Sequence, residues 1–131
     1  MSLNALAPQK NVAYFEYDFD KHGGAVGAIS VQGNGLPAGA IITSGVIHVT
    51  AAVTSGGAAT VSVGLVSAAD LRAATAVGSL TLNALLDVIP DGAATNMIRV
   101  ASADNTAIFT VGTAALTAGR IVLAIEYFVT D

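Results

Sequence analysis

Alternation of apolar and polar side chains near both ends of the sequence constrains the fold more than any other feature. In residues 12–20 every second residue is apolar, and the residues between them are mostly acidic. Residues 120–130 alternate in the same way, but their second face is also partly apolar. Side chains of a β-strand point alternately to opposite faces, so both segments are predicted strands. The second face of residues 120–130 indicates a strand that is central in its sheet or lies in a subunit interface.

Shorter blocks of β-forming residues, separated by turn-forming residues, fill the middle of the chain. Residues 28–32 follow a glycine-rich turn and are predicted to form a hairpin with residues 12–20. Residues 40–52 and 60–65 are predicted to form a second hairpin. In its first strand, Val46 shares the face of His48 and Thr50, opposite Ile47 and Val49, and Gly45 marks a bulge or a close backbone approach. Further strands are expected at 97–102 and 106–111. This pattern predicts an all-β fold, an antiparallel β-sandwich, with a jelly roll as one candidate arrangement.

One short connecting helix is predicted in residues 67–77. Ser67 would be its N-cap, Asp70 would lie near the positive helix end, and Gly78 would end it. Residues 1–11 contain Pro8 and little pattern, which predicts an extended N-terminal arm. Residues 12–131 are then a single β-sandwich domain, since a chain of 131 residues fits one domain.

The composition indicates a chain that hides much of its surface in an assembly. Hydrophobic residues make up 53% of the chain and charged residues 11%, with a formal net charge of −4. The five basic residues are scattered, which argues against a nucleic-acid partner. No apolar run approaches the roughly 18 residues that a membrane-spanning helix needs, and no signal peptide is predicted. The absence of cysteine fits synthesis in the cytoplasm.

No catalytic, cofactor-binding or metal-binding residue is predicted, and the chain is not expected to be an enzyme. His22 and His48 are the only imidazoles, and no nucleophile motif accompanies them. Two interpretations stay open for the segment that begins at Asp18. A polar strand end followed by a turn is favoured, because Ile29 stands where a calcium-binding loop needs a carboxylate. Alternatively, Asp18, Asp20 and His22 hold an ion with help from another subunit.

Four segments in order carry a resemblance to a known family. They read DFDKHGG, GAISVQGNGLPAGAIITSGVIHV, TSGGAATVSVGL and TVGTAALTAGRIVLAIEYFV, and together they span about residues 15–129. In these segments the chain resembles the decoration, auxiliary or cement proteins of tailed-bacteriophage heads. The resemblance implies a β-rich domain that oligomerises on the capsid exterior and binds across seams between major capsid proteins. It implies no catalytic residue and no cofactor.

The expected partners are therefore the major capsid protein and further copies of this chain. A homotrimer is the first expectation for the assembly and a dimer the second, in a virion protein on the outside of the phage head. Leu3, Leu6 and Pro8 in the arm, together with Tyr14, are the predicted partner contacts. The alternative function is a β-sandwich module of a phage fibre, a tail or a surface protein that binds carbohydrate or a receptor. The scarcity of aromatic residues, 5% of the chain, disfavours that alternative.

Overall fold

The computed structural model describes residues 11–33, 36–65, 67, 69–90, 98–100 and 106–129. These residues form β-strands, a four-residue α-helix and one turn of 3-10 helix, Val77–Ser79. The helix, α1, is Phe19–His22. The strands are β1 (Asn11–Asp18), β2 (Gly27–Gln32), β3 (Ile41–Ser55), β4 (Thr60–Gly64), β5 (Arg72–Ala76), β6 (Leu85–Asp87), β7 (Ile98–Arg99), β8 (Thr106–Gly112) and β9 (Leu116–Phe128).

The strands form two antiparallel sheets. Sheet A has the order β1-β9-β3-β6, with β7 paired to β3, and sheet B has the order β2-β8-β4-β5. Apart from β7, the strands pair in a nested way: β1 with β9, β2 with β8, β3 with β6, and β4 with β5. The chain is thus one long folded hairpin, wound so that its successive pairs lie alternately in sheet A and sheet B. The predicted antiparallel β-sandwich is confirmed, and its nested pairing is the jelly-roll arrangement that was one candidate.

Both predicted hairpins are wrong. β1 and β2 lie in different sheets and meet only at an isolated bridge between Phe15 and Gly33. β3 and β4 also lie in different sheets. The reason is that alternation determines which face of a strand is buried but carries no information about the strand beside it. Here the connections that follow β1 and β3 cross from one sheet to the other, and β1, β2 and β3 pair with strands from much later in the sequence.

The core lies between the two sheets. The predicted inward residues Phe15 and Tyr17 of β1 are buried, and so are Leu123 and Ile125 of β9. β9 is central in sheet A, because β1 pairs with one of its edges and β3 with the other. Phe19 was predicted to continue β1, but it begins α1 and packs partly buried against the core.

The helix predicted at residues 67–77 is also wrong, because Asp70 stabilises a turn there. Its carboxylate is buried and accepts hydrogen bonds from the backbone N–H groups of Leu65, at 2.8 Å, and Ser67, at 3.0 Å. Aspartate competes for backbone donors in this way when it caps turns. The chain then enters β5 along the edge of sheet B. Ser67 therefore caps no helix. The helix that does form, α1, has Asp18 as its N-cap, and the Asp18 carboxylate accepts a hydrogen bond from the N–H of Asp20.

Gly45 marks a close backbone approach, as the sequence analysis anticipated, and this yields a test of the β3–β9 pairing. A Cβ atom at Gly45 would collide with the carbonyl oxygen of Ala124 and lie 3.0 Å from Cα of Ile125. Gly45→Ala is therefore expected to lower the free energy of unfolding by about 1–3 kcal/mol, as measured by urea denaturation. The control is Gly56→Ala, where a Cβ meets nothing within 4 Å and a change within about 0.5 kcal/mol is expected. Equal effects of the two substitutions would contradict the close approach.

Candidate interaction surface

The outer face of sheet A is made of residues that alternate with the core residues of the same strands. The pairing register places them in five rows across the sheet. The first row is Phe128–Ile41–Arg99, followed by Val12–Glu126–Ser44 and Tyr14–Ala124–Val46–Asp87. The next two are Glu16–Val122–His48–Leu85 and Asp18–Arg120.

Apolar side chains are exposed across the middle of this face. Tyr14 is 51% exposed, Leu85 is 70% exposed, and Val12 and Val46 are exposed as well. Val122, on the central strand, is half-buried between its neighbours. Three different strands thus contribute exposed apolar side chains to one surface. A single exposed apolar residue is ordinary, but a contiguous group marks a site of interaction.

Acidic groups predominate among the charged residues of the same face. It carries the carboxylates of Glu16, Asp18, Asp87 and Glu126 and two guanidiniums, those of Arg99 and Arg120. Glu126 accepts a hydrogen bond from Ser44 Oγ at 3.1 Å, so this carboxylate has a defined position.

Side chains between the carboxylates are also positioned by hydrogen bonds. Arg120 Nε donates to Thr50 Oγ1 at 3.1 Å, and His48 Nε2 lies 3.3 Å from Asn83 Oδ1. The side chains of Glu126, His48 and Arg120 therefore have defined positions before a partner binds.

The outer face of sheet B has a different chemistry. Its outward residues on β2, β8 and β4 are small or uncharged, and none of those that the structure describes carries a charge. They are Ala28, Ser30 and Gln32; Thr106, Ile108, Thr110 and Gly112; and Thr60, Ser62 and Gly64. Exposed apolar groups flanked by carboxylates are therefore a property of sheet A.

Three solved structures contain chains that resemble this one. A chain of the cyanophage Pam1 capsid asymmetric unit matches with a TM-score of 0.68 and 20% identity, covering 93% of this chain and 86% of that chain. A chain of the acid-stable capsid of Helicobacter pylori bacteriophage KHP30 matches with a TM-score of 0.60 and 17% identity, covering 95% of both. A chain of the Ralstonia phage GP4 capsid has a TM-score of 0.53 and 17% identity, covering 92% and 86%.

This chain shares its fold with chains of phage capsids. The shared fold extends over more than nine-tenths of its length in each comparison. No protein-family model and no curated protein matches the sequence.

The residues predicted as partner contacts fall into two groups. Leu3, Leu6 and Pro8 lie outside the described residues. Tyr14 lies on the outer face of sheet A, where alternation had placed it. Sequence reasoning missed Leu85, because residues 80–89 show no regular period. It placed Val46 on an outward face, but nothing in the sequence could show that Val46 and Tyr14 share one row.

The alternative ion site at Asp18, Asp20 and His22 is a compact turn around α1. Asp18 Oδ1 accepts from the backbone N–H of Asp20 at 3.0 Å, and His22 Nδ1 lies 3.1 Å from the backbone nitrogen of Asp18. These contacts hold the side chains of Asp18 and His22 to the local backbone. In the described part of the chain, no three His, Cys, Asp or Glu side chains are grouped so that they could hold a metal ion.

A groove of about 650 Å³ lies between β5 and the segment after β6. Its described lining is mainly apolar and includes Leu71, Val88 and Ile89, with Arg72 as the charged residue. Arg72 donates to Thr75 Oγ1 at 3.2 Å and to the carbonyl oxygen of Asp87 at 3.3 Å. This lining presents no pairing of a nucleophile with a general base. No helix in the described residues is long and apolar enough to cross a membrane.

Tyr17 gives a testable pH dependence of stability. Its hydroxyl donates to the carbonyl oxygen of Gly23 at 2.5 Å, and its ring stacks on those of His22 and Phe109. Burial, with a smaller contribution from the charge of Asp18, raises the pKa of Tyr17 to about 12. Between pH 10 and 12 the unfolded chain therefore loses this proton before the folded chain does, and stability falls as pH rises.

The free energy of unfolding is measured by urea denaturation at pH 8 and at pH 11. Between these pH values it is expected to fall by about 1 kcal/mol more in the wild type than in Tyr17→Phe. The Phe variant lacks the ionisable group, although it starts less stable at pH 8 because the hydrogen bond to Gly23 is gone. Tyr14→Phe is the control. Its free energy of unfolding should fall between pH 8 and pH 11 as that of the wild type does, because Tyr17 is still present. An equal loss in the wild type and Tyr17→Phe would contradict the assignment.

Proposed function

We propose that this chain is a non-enzymatic structural protein of a tailed-phage virion. It binds the outside of the head as an oligomer and stabilises contacts between major capsid proteins. The observation that carries the proposal is the shared fold with chains of three phage capsids over nearly the whole length of this chain. The low content of charged residues agrees with a protein that buries surface in an assembly.

The alternative, a carbohydrate- or receptor-binding module of a fibre or tail, receives less support from the structure. Sites for sugars commonly use aromatic side chains, and in a β-sandwich such sites lie in the loops. All seven aromatic residues of this chain lie in β1, α1, β8 or β9, and of these only Tyr14 is exposed. The loops therefore lack the stacking platforms that such a module needs.

The predicted N-terminal arm, residues 1–11, would supply part of the contact with the capsid or with a neighbouring copy. Residues 1–10 precede β1, which is an edge strand of sheet A. Ten residues can reach at most about 33–36 Å when fully extended. That reach would allow Leu3, Leu6 and Pro8 to lie on a neighbouring molecule. A homotrimer is the assembly we propose first, because many small contacts repeated by symmetry hold such a protein.

The decisive experiment is cosedimentation of the full chain with expanded phage heads that were assembled without it. Saturable binding at a fixed ratio to the major capsid protein is expected, and light scattering of the free protein should give three chains per particle. A folded protein that does not bind heads would contradict the proposal and favour the fibre or tail alternative. A dimer in solution would contradict the trimer alone.

Deleting residues 1–10 tests the role of the arm. The deletion is expected to weaken binding to heads while leaving the thermal unfolding midpoint unchanged, because β1 begins at Asn11. The double substitution Leu3→Ser with Leu6→Ser should reproduce most of the loss. Asn4→Ser with Gln9→Ser is the matched control and should bind as the wild type does. Unchanged binding by the deletion variant would show that the arm makes no contact.

A further inference from the structure

We infer that the outer face of sheet A is the surface by which this chain docks, and that its partner presents apolar side chains flanked by lysine or arginine. This inference rests on the proposed function and assigns it a surface. The observation behind it is the combination of exposed apolar residues and an excess of carboxylates on one face.

The fold does not require apolar side chains at the exposed positions of this face. Leu85 and Tyr14 are 70% and 51% exposed, and Val46 lies in the row of Tyr14, next to the row of Leu85. A polar side chain at each of these positions would cost the core nothing, because the core lies on the opposite side of the sheet. Apolar side chains retained together on such a face are typical of a surface that another molecule covers.

The charges on the face indicate what kind of molecule that is. Four carboxylates and two guanidiniums, those of Arg99 and Arg120, lie on the face with the apolar residues. Two copies of this chain joined face to face would bring eight carboxylates together against four guanidiniums. Like charges brought together in an interface are unfavourable, and complementary potentials select the correct partner. A basic partner surface therefore fits this face better than a second copy does.

The size of the face indicates how strongly one copy binds. The sixteen positions of this face lie on strands about 4.8 Å apart and in rows about 6.8 Å apart, and together they cover on the order of 500 Å². A stable single interface buries about 800 Å² on each partner. One copy would therefore bind weakly through this face alone, and several linked copies would bind much more strongly.

Sheet B supplies the internal comparison. Its outer face has a similar extent, but its described residues are small or uncharged. Ser30 and Gln32 are exposed and Ile108 is half-buried, and substitutions at these positions leave the carboxylates and the apolar group of sheet A unchanged. They are therefore matched controls for substitutions on sheet A.

The test is cosedimentation of the full chain with phage heads lacking it, measured across a series of NaCl concentrations. Tyr14→Ser and Leu85→Ser are each expected to weaken binding at least about tenfold. Ile108→Ser, on the outer face of sheet B, should leave binding unchanged. The double variant Glu16→Gln with Asp87→Asn should bind more weakly at low salt and lose much of the wild-type dependence on NaCl. Its control, Ser30→Lys with Gln32→Lys, changes the net charge equally and should keep that dependence.

The outcomes separate this inference from the proposed function. If the folded wild type does not bind heads at all, the proposed function fails and the inference fails with it. If the wild type binds but the sheet A variants bind equally well, the docking surface is wrong and the proposed function stands. If Tyr14→Ser and Leu85→Ser dissociate the free oligomer instead, the face joins copies of this chain and the basic partner is excluded. Wild-type binding that is insensitive to NaCl would likewise exclude a basic partner.

Discussion

The double pairing of β9 is the constraint on which the rest of this structure depends. β9 is hydrogen-bonded to β1 along one edge and to β3 along the other, so its backbone groups are satisfied within sheet A. Its inward residues, Ile121, Leu123 and Ile125, form the middle of the core. Its outward residues are flanked on both sides, which favours small or apolar side chains such as Ala124 and Val122. The core and the candidate docking surface are thus two faces of one strand.

Local features of the fold could be predicted from the sequence, whereas the partners of the strands could not. Alternation correctly assigned Phe15 and Tyr17 to the core and Tyr14 to the outside. It could not indicate that β1 pairs with β9, more than a hundred residues later, because pairing depends on the packing of the whole chain. At Asp70 the sequence was ambiguous in another way. The same serine–aspartate spacing fits a helix start and a turn, and the buried carboxylate stabilises the turn.

The same limit applies to the candidate surface. Tyr14, Val46 and Leu85 come from three separate segments, and they share a face only because β9 lies between β1 and β3, and β6 lies beyond β3. Alternation gave the outward direction of the first two. Leu85 belongs to a three-residue strand, which is too short to show a period. A surface assembled across a sheet therefore becomes visible only when the register is known.

Apolar area and charge would have separate roles in docking. The apolar residues would supply most of the favourable free energy of contact, but burial against any apolar surface would be favourable for them. The carboxylates around them restrict the partner and raise the rate of encounter with a basic surface. Because the face of one copy covers on the order of 500 Å², affinity must come from several copies acting together. Oligomerisation and docking are then energetically linked, and a substitution that separates the copies would weaken binding to heads without altering the face itself.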